Sequence, residues 1–335
     1  MSHEITGSDG MFTVRQAAWH GLGTVFEDYP SRAEAQAIAH PWEPTQVPLF
    51  TRQTYVSPDG EETETFNKVD SHVANIRDDN GAELGVVPKT YNLVHNSTLW
   101  DIAEALEQSG DDVMYETGGT LRGGAMVWIL VRLKDPLVIK GDKRGETIPY
   151  FALQNSHDGS GAFRGQATMT RIVCANTSRV ADLEARARGT EFTFRHSKNV
   201  QERIDEAREA LTGWRTSLDD WQQKMEMLIN AKVDASNERR FLHKFIEMPP
   251  KGLISEQVEQ NVLKARDQWT ECYNGITGEG LKGTAYGLVQ ASIEYQEWYR
   301  RANNQESRFR RSFLSKNAIV ASATELALAA SQSSR

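Results

Sequence analysis

Cysteine is nearly absent: Cys174 and Cys272 stand far apart, with no CxxC spacing. That excludes a disulfide framework and a zinc ribbon, and it suits a reducing cytoplasm. Long apolar runs are also missing. The longest, Ala125–Val131, has seven residues, against the roughly 20 that a bilayer-crossing helix needs. The opening segment MSHEITGSDG is polar and acidic, so no signal peptide is expected. There is no HExxH, no paired-carboxylate repeat and no cysteine/histidine cluster, so neither a metal nor a cofactor is expected. Gly118–Gly124 is glycine-rich but lacks the G-x-x-x-x-G-K-[ST] spacing, and it reads as a hairpin turn rather than a phosphate loop.

What is present is an ordinary globular composition, 39% hydrophobic and 25% charged, long enough for two domains. The net charge of −8 is uneven. Residues 1–120 hold 6 Lys+Arg and 20 Asp+Glu, residues 121–200 hold 13 and 7, and residues 201–335 hold 19 of each. The basic excess therefore falls on the middle of the chain, where local sign matters more to an anionic ligand than the total.

Local signals order the elements. Ser31 caps a short helix over Arg32–Ala39 that stops at Pro41. Residues 46–57 read as a strand before the turn Pro58-Asp59-Gly60. His72–Arg77 and Ala82–Val87 flank Asp78-Asp79-Asn80-Gly81, a strong hairpin signal. Thr90–Val94 is a short extended run. Asn96 or Ser97 caps a helix to Gln108, with Leu99, Ile102, Ala103 and Leu106 as its stripe. Val113–Glu116, Ala125–Lys134, Tyr150–Ser156, Ala162–Cys174 and Glu191–Phe194 read as extended, and Asn176–Ala187 as a short helix. From Val200 to Leu228, apolar residues recur at alternating intervals of four and three, a heptad seam. Further helices are expected over Asn237–Glu247, Ser255–Tyr273, Thr284–Arg301 and Ser312–Ala330, with Gly275–Gly283 a flexible connector. The fold class is α+β: an antiparallel, curved β-sheet with a packed helix over residues 1–196, then a helical region over 197–335.

The strand after the turn His157–Gly161 puts Phe163, Gly165, Ala167, Met169 and Val173 on one face and Arg164, Gln166, Thr168 and Thr170 on the other. Arg164, Arg171, Arg179, Arg186, Arg188, Arg195 and Lys198 fall close together, interleaved with Phe163, Phe192 and Phe194. Cations to follow phosphates and rings to stack on bases make the recipe for single-stranded nucleic acid binding. Solvated arginines over core phenylalanines are the plainer explanation. A second basic run, Arg300 to Lys316 around Phe309 and Phe313, repeats the pattern. His157-Asp158 has the residue types of an oriented general base. Cys174, His196 and Asn176 have those of a thiol catalytic set, although free cysteine is a common core residue.

Several pieces follow one another in a characteristic order. These are Ala18-Trp19-His20-Gly21-Leu22-Gly23, then Ile76-Arg77 with Gly85-Val86-Val87 and Tyr91, and then Gly118-Gly119 with Leu121 and Gly123-Gly124. Ser156-His157-Asp158-Gly159-Ser160 and Arg171-Ile172-Val173-Cys174-Ala175-Asn176-Thr177 complete the series. Together they resemble the phage/plasmid-like protein family, domain of unknown function family 932, over most of the chain. One departure is Ser178-Arg179, where an aliphatic residue is expected. The resemblance implies carriage on a phage, prophage or plasmid and residence in a bacterial cytoplasm, and it brings no activity. Mobile elements commonly encode annealing proteins, and the element order here is similar to the Rad-type ones, an analogy at fold level only.

The expected function is a single-stranded DNA-binding, annealing-type protein acting in replication or recombination as a homo-oligomer. Arg164, Gln166, Thr168 and Arg171 line its groove, Arg122 and Arg179 flank it, and Arg195 and Lys198 extend it. The alternatives are a metal-dependent nuclease or hydrolase using His157 and Asp158, and a factor that docks on a host protein through the acidic N-terminal region.

Overall fold

A computed structural model describes residues 10–15, 23–107, 113–143, 146–171, 176–179, 191–211, 214–250, 255–300 and 318–332. Expectations for His20, Cys174 and the basic run 301–316 lie outside these residues. The fold is α+β, as its sequence pattern predicts. The chain divides into two compact units that interleave along the sequence. The first takes in Met1–Val131, Leu153–Gly165 and Phe192–Thr212, and the second Arg132–Ala152, Gln166–Glu191 and Gly213–Arg335.

In the first unit the main sheet starts with β1 (Met11–Val14), β2 (Thr24–Phe26), β6 (Val113–Leu121) and β7 (Met126–Leu133), in the order β2-β1-β6-β7. The ends of β9 (Glu146–Ser156) and the start of β10 (Phe163–Arg171) continue it, and β12 (Glu191–Phe194) pairs with β10. The sheet is not wholly antiparallel, because β1 runs parallel to β2. Gly118 and Gly119 lie in β6 rather than in a turn. A Cβ on Gly119 would sit 2.8 Å from the Gly10 carbonyl oxygen, so glycine is what allows β1 to pair here. The turn itself is a single 3-10 turn, Arg122–Gly124.

Helix α1 (Arg32–Ala39) starts at Ser31 with a full capping box to Glu34. Helix α2 (Ser97–Glu107) buries Leu99, Trp100, Ile102, Ala103 and Leu106 completely. Its first N–H groups find a remote partner: the Glu43 carboxylate accepts from Asn96 N at 2.5 Å and Ser97 N at 2.9 Å. A carboxylate at a helix N-terminus also complements the dipole. Helix α3 (Val200–Leu211) packs on α2, and its Val200 and Ile204 are buried. A second, three-stranded sheet orders β3 (Pro44–Val56), β4 (Glu62–Arg77) and β5 (Glu83–Pro88) as an antiparallel meander. The expected turn at residues 78–81 joins β4 to β5.

In the second unit β8 (Leu137–Val138) pairs with the start of β9, and β11 (Asn176–Arg179) pairs antiparallel with the end of β10, from Thr168↔Arg179 to Arg171↔Asn176. Residues 176–179 are thus a strand where a helix was expected, because the backbone finds ladder partners that no local signal announces. The heptad seam falls on two helices, α3 and α4 (Trp214–Asn230), and the α4 positions Leu218, Trp221, Met225 and Leu228 are buried. Helices α5 (Ala235–Phe245), α6 (Glu256–Asn274), α7 (Ala285–Glu294) and α8 (Ala318–Gln332) follow. Their caps include Asp234, Ser255 and Thr284. The Gly275–Gly283 connector is packed rather than loose. Thr277 and Leu281 are buried, and the Gly283 N–H donates to the Tyr273 hydroxyl at 2.8 Å.

Candidate nucleic-acid interface

The turn after β9 gathers residues from three separated stretches of the sequence. Tyr91 Oη donates to the Ser156 carbonyl at 2.6 Å. Gly85 lies so close to the turn that a Cβ on it would be 2.6 Å from Asp158 Cα. Ser156 Oγ and Ser160 N both donate to Asp158 Oδ1, at 2.5 and 2.9 Å. Arg122, held at φ +55, places Nη1 3.3 Å from Asp158 Oδ2. Burial of Asp158 works against its ionised form, but the hydrogen bonds from Ser156 and Ser160 outweigh it and hold the carboxyl below the usual range.

His157 faces the other way. Its N–H donates to the Ala125 carbonyl, its carbonyl accepts from Asn75 Nδ2 at 2.6 Å, and its ring Nε2 lies 2.8 Å from Asn96 Oδ1. Asn96 uses its Nδ2 on the Trp42 carbonyl, so its oxygen is the acceptor and His157 Nε2 the donor. Burial pushes this imidazole down to about 3. The expected His157/Asp158 pair is therefore not assembled: the imidazole serves the core and the carboxylate serves the turn. Among the described residues, no group of three or more His, Cys, Asp or Glu is placed to hold a metal.

The aromatic half of the expected groove is also core. Phe163, Phe192 and Phe194 are buried and stack on one another at 6.0 and 5.1 Å between centroids. Those rings are unavailable to bases, as the plainer explanation required. Gln166 is only 5% exposed and so leaves any open interface. Arg122 and Arg164 are half-buried, while Arg195 and Lys198 are exposed. Arg122, Arg164, Arg195 and Lys198 belong to the first unit, and Gln166, Thr168, Arg171 and Arg179 to the second. The last three are described by their backbone alone.

Sequence reasoning missed an exposed aromatic surface on the β3–β4 hairpin. Its register runs unbroken from Leu49↔Val69 to Val56↔Glu62, past the end of β5's pairing at His72. This outer part is a two-stranded ribbon, exposed along nearly its whole length. Directly opposed residues share a face and alternate positions repeat it. The pairs Phe50↔Lys68 and Arg52↔Phe66 therefore put two rings and two cations on one face. Phe50 is 53% exposed and Phe66 62%. Arg52 pairs with Glu64 further out on the same face.

Cations also gather at the ribbon's root. Lys89 N donates to the Ser71 carbonyl at 3.0 Å, and Gln46 Nε2 donates to the Tyr91 carbonyl at 3.2 Å. Asn92 N donates to the His196 carbonyl, and the Tyr91 and His196 rings stack. These bonds bring the segment that carries Arg195 and Lys198 beside the root, where Lys68 and Lys89 are exposed. Asp70 is exposed there too, so the root is basic without being uniformly so.

A family model described as Domain of unknown function (DUF932) matches residues 83–315. No curated protein and no solved structure matches the chain.

Proposed function

The chain belongs to the family described as Domain of unknown function (DUF932), and we propose that it is a single-stranded nucleic acid-binding protein of annealing type, not a hydrolase. One observation carries the reading: Phe50, Arg52, Phe66 and Lys68 stand exposed on one face of a ribbon. Exposed rings stack on bases without regard to sequence, and neighbouring cations neutralise phosphates. Lys89, Arg195 and Lys198 extend the cationic track at the root, with Arg122 and Arg164 less accessible. In this reading the protein is encoded by a phage or plasmid, works in the bacterial cytoplasm in replication or recombination, and assembles with itself. No described helix is long and apolar enough to cross a membrane.

Fluorescence anisotropy with labelled single-stranded and duplex oligonucleotides, titrated at several salt concentrations, tests it. Preferential single-strand binding that weakens linearly in log salt is the expected result. Absence of binding even at low salt overturns it. Docking on a host protein is the second reading. The acidic residues at the ribbon's far end, Asp59, Glu61 and Glu62, favour it, and recovery of a stoichiometric host partner without nucleic acid binding would select it.

A further inference from the structure

The ribbon carries opposite charges at its two ends. Asp59, Glu61, Glu62 and Glu64 are exposed around the tip, while Lys68, Lys89, Arg195 and Lys198 are exposed around the root. It also carries apolar side chains at both ends: Tyr55 and Val56 near the tip, Phe50 and Phe66 nearer the root, all exposed. A two-stranded hairpin with both faces wet is marginal in water, so a ribbon of this length calls for a covering partner.

We infer that the acidic tip of one chain docks on the basic root of a second copy, the two ribbons lying antiparallel. The occupant follows from geometry and charge. The register is continuous over the eight pairs from Leu49↔Val69 to Val56↔Glu62, which spans about 25 Å at the rise of a β-strand. With no bulge in that stretch the ribbon does not fold back, and its tip stays away from its own root. A second copy supplies the complementary charge at the right distance. Antiparallel crossing sets Val56 of each copy, which shares a face with Phe50 and Phe66, toward those two rings of the other. The contact is isologous, since each copy gives a tip and receives one, and it closes as a dimer.

The docked tip covers the cations assigned above to phosphates. Resting on that nucleic acid reading, the dimer contact and single-stranded nucleic acid compete for one surface, while the docking itself does not depend on it.

Sedimentation equilibrium on the full chain tests the contact. Two charge-reversed chains are needed, Glu61→Lys with Glu62→Lys at the tip, and Arg195→Glu with Lys198→Glu at the root. These side chains are exposed, so far-UV circular dichroism should match the unmodified chain. The unmodified chain is expected to dimerise at low salt, and each variant alone to self-associate more than about tenfold more weakly, because like charges then face each other. An equimolar mixture of the two variants restores the dimer, because every tip again meets an opposite root. A monomeric unmodified chain, a tip-reversed chain that dimerises as tightly as the unmodified one, or a mixture that stays monomeric overturns the inference. Restored dimers in a protein that binds no oligonucleotide would sink the nucleic acid reading and leave this contact standing.

Discussion

Tyr91 and His196 stack face to face, with ring centroids 4.3 Å apart and planes 12° from parallel. The pair joins the chain after β5 to the chain after β12, and each ring is also hydrogen-bonded. Tyr91 Oη donates to the Ser156 carbonyl, and His196 Nδ1 lies 3.0 Å from the Asn92 carbonyl, to which it must be the donor. Tyr91→Phe keeps the stack and removes the hydroxyl. The part-buried Ser156 carbonyl then loses a donor, so stability is expected to fall by about 1–2 kcal/mol in urea unfolding. An unchanged midpoint would mean that water replaces the hydroxyl.

Buried histidines give the first unit a pH dependence. Burial pushes His40 down to about 4 and His157 to about 3, and it also lowers His196. All three folded values lie below the unfolded value near 6.5. The neutral rings are therefore fully favourable above that value, and stability is lost as pH falls below it, since the unfolded chain takes up protons first. His40 and His157 each contribute a slope of about 1 kcal/mol per pH unit between pH 6.5 and the folded value, and His196 acts in the same direction. Urea midpoints at pH 7.5, 6 and 5 should fall in that order. A flat profile would show that the rings are not held neutral.

Gly81 and Gly85 lie on the same hairpin but need glycine for different reasons. Gly81 has φ +71 and open space where a Cβ would go, whereas Gly85 has no positive φ and meets the Asp158 backbone. Asparagine tolerates the left-handed region, so Gly81→Asn should be nearly neutral. Gly85→Asn forces the 156–161 turn to move and should cost about 2 kcal/mol or more. Equal losses in thermal unfolding would contradict the crowding at Asp158.

The parts of the fold that were legible in the sequence have local causes. Ser31 with Glu34 and Pro41 fixes α1, and Asp78–Gly81 fixes a hairpin. Ser255 and Thr284 mark helix starts. What was not legible depends on remote partners. No window of sequence shows that Glu43 caps α2, or that residues 176–179 find a ladder with β10. Composition brought Phe163, Phe192 and Phe194 together with arginines, but it cannot tell a buried ring from an exposed one. The ribbon escaped for a related reason. Alternation marks a strand only where one face is buried, and Glu62–Lys68 is exposed on both. Its partner strand was legible, and Phe50 and Phe66 acquire meaning only through the register between them.

That register yields the sharpest test of the interface. Phe50→Ala and Phe66→Ala remove stacking surface and no charge. Each should weaken single-strand binding about tenfold, the lower end of base–aromatic stacking, and leave the salt slope unchanged. Arg52→Gln and Lys68→Gln remove phosphate contacts and leave the rings. Each should reduce the magnitude of that slope by about 0.7, the increment per phosphate on a single strand. Glu64 already pairs with Arg52, so the Arg52 change should be the smaller of the two. Anisotropy titrations between low and moderate salt separate these effects in one protein preparation each. If the phenylalanine variants bind as the unmodified chain does, the rings do not stack on bases, and the ribbon's exposed aromatic face belongs to the contact between chains instead.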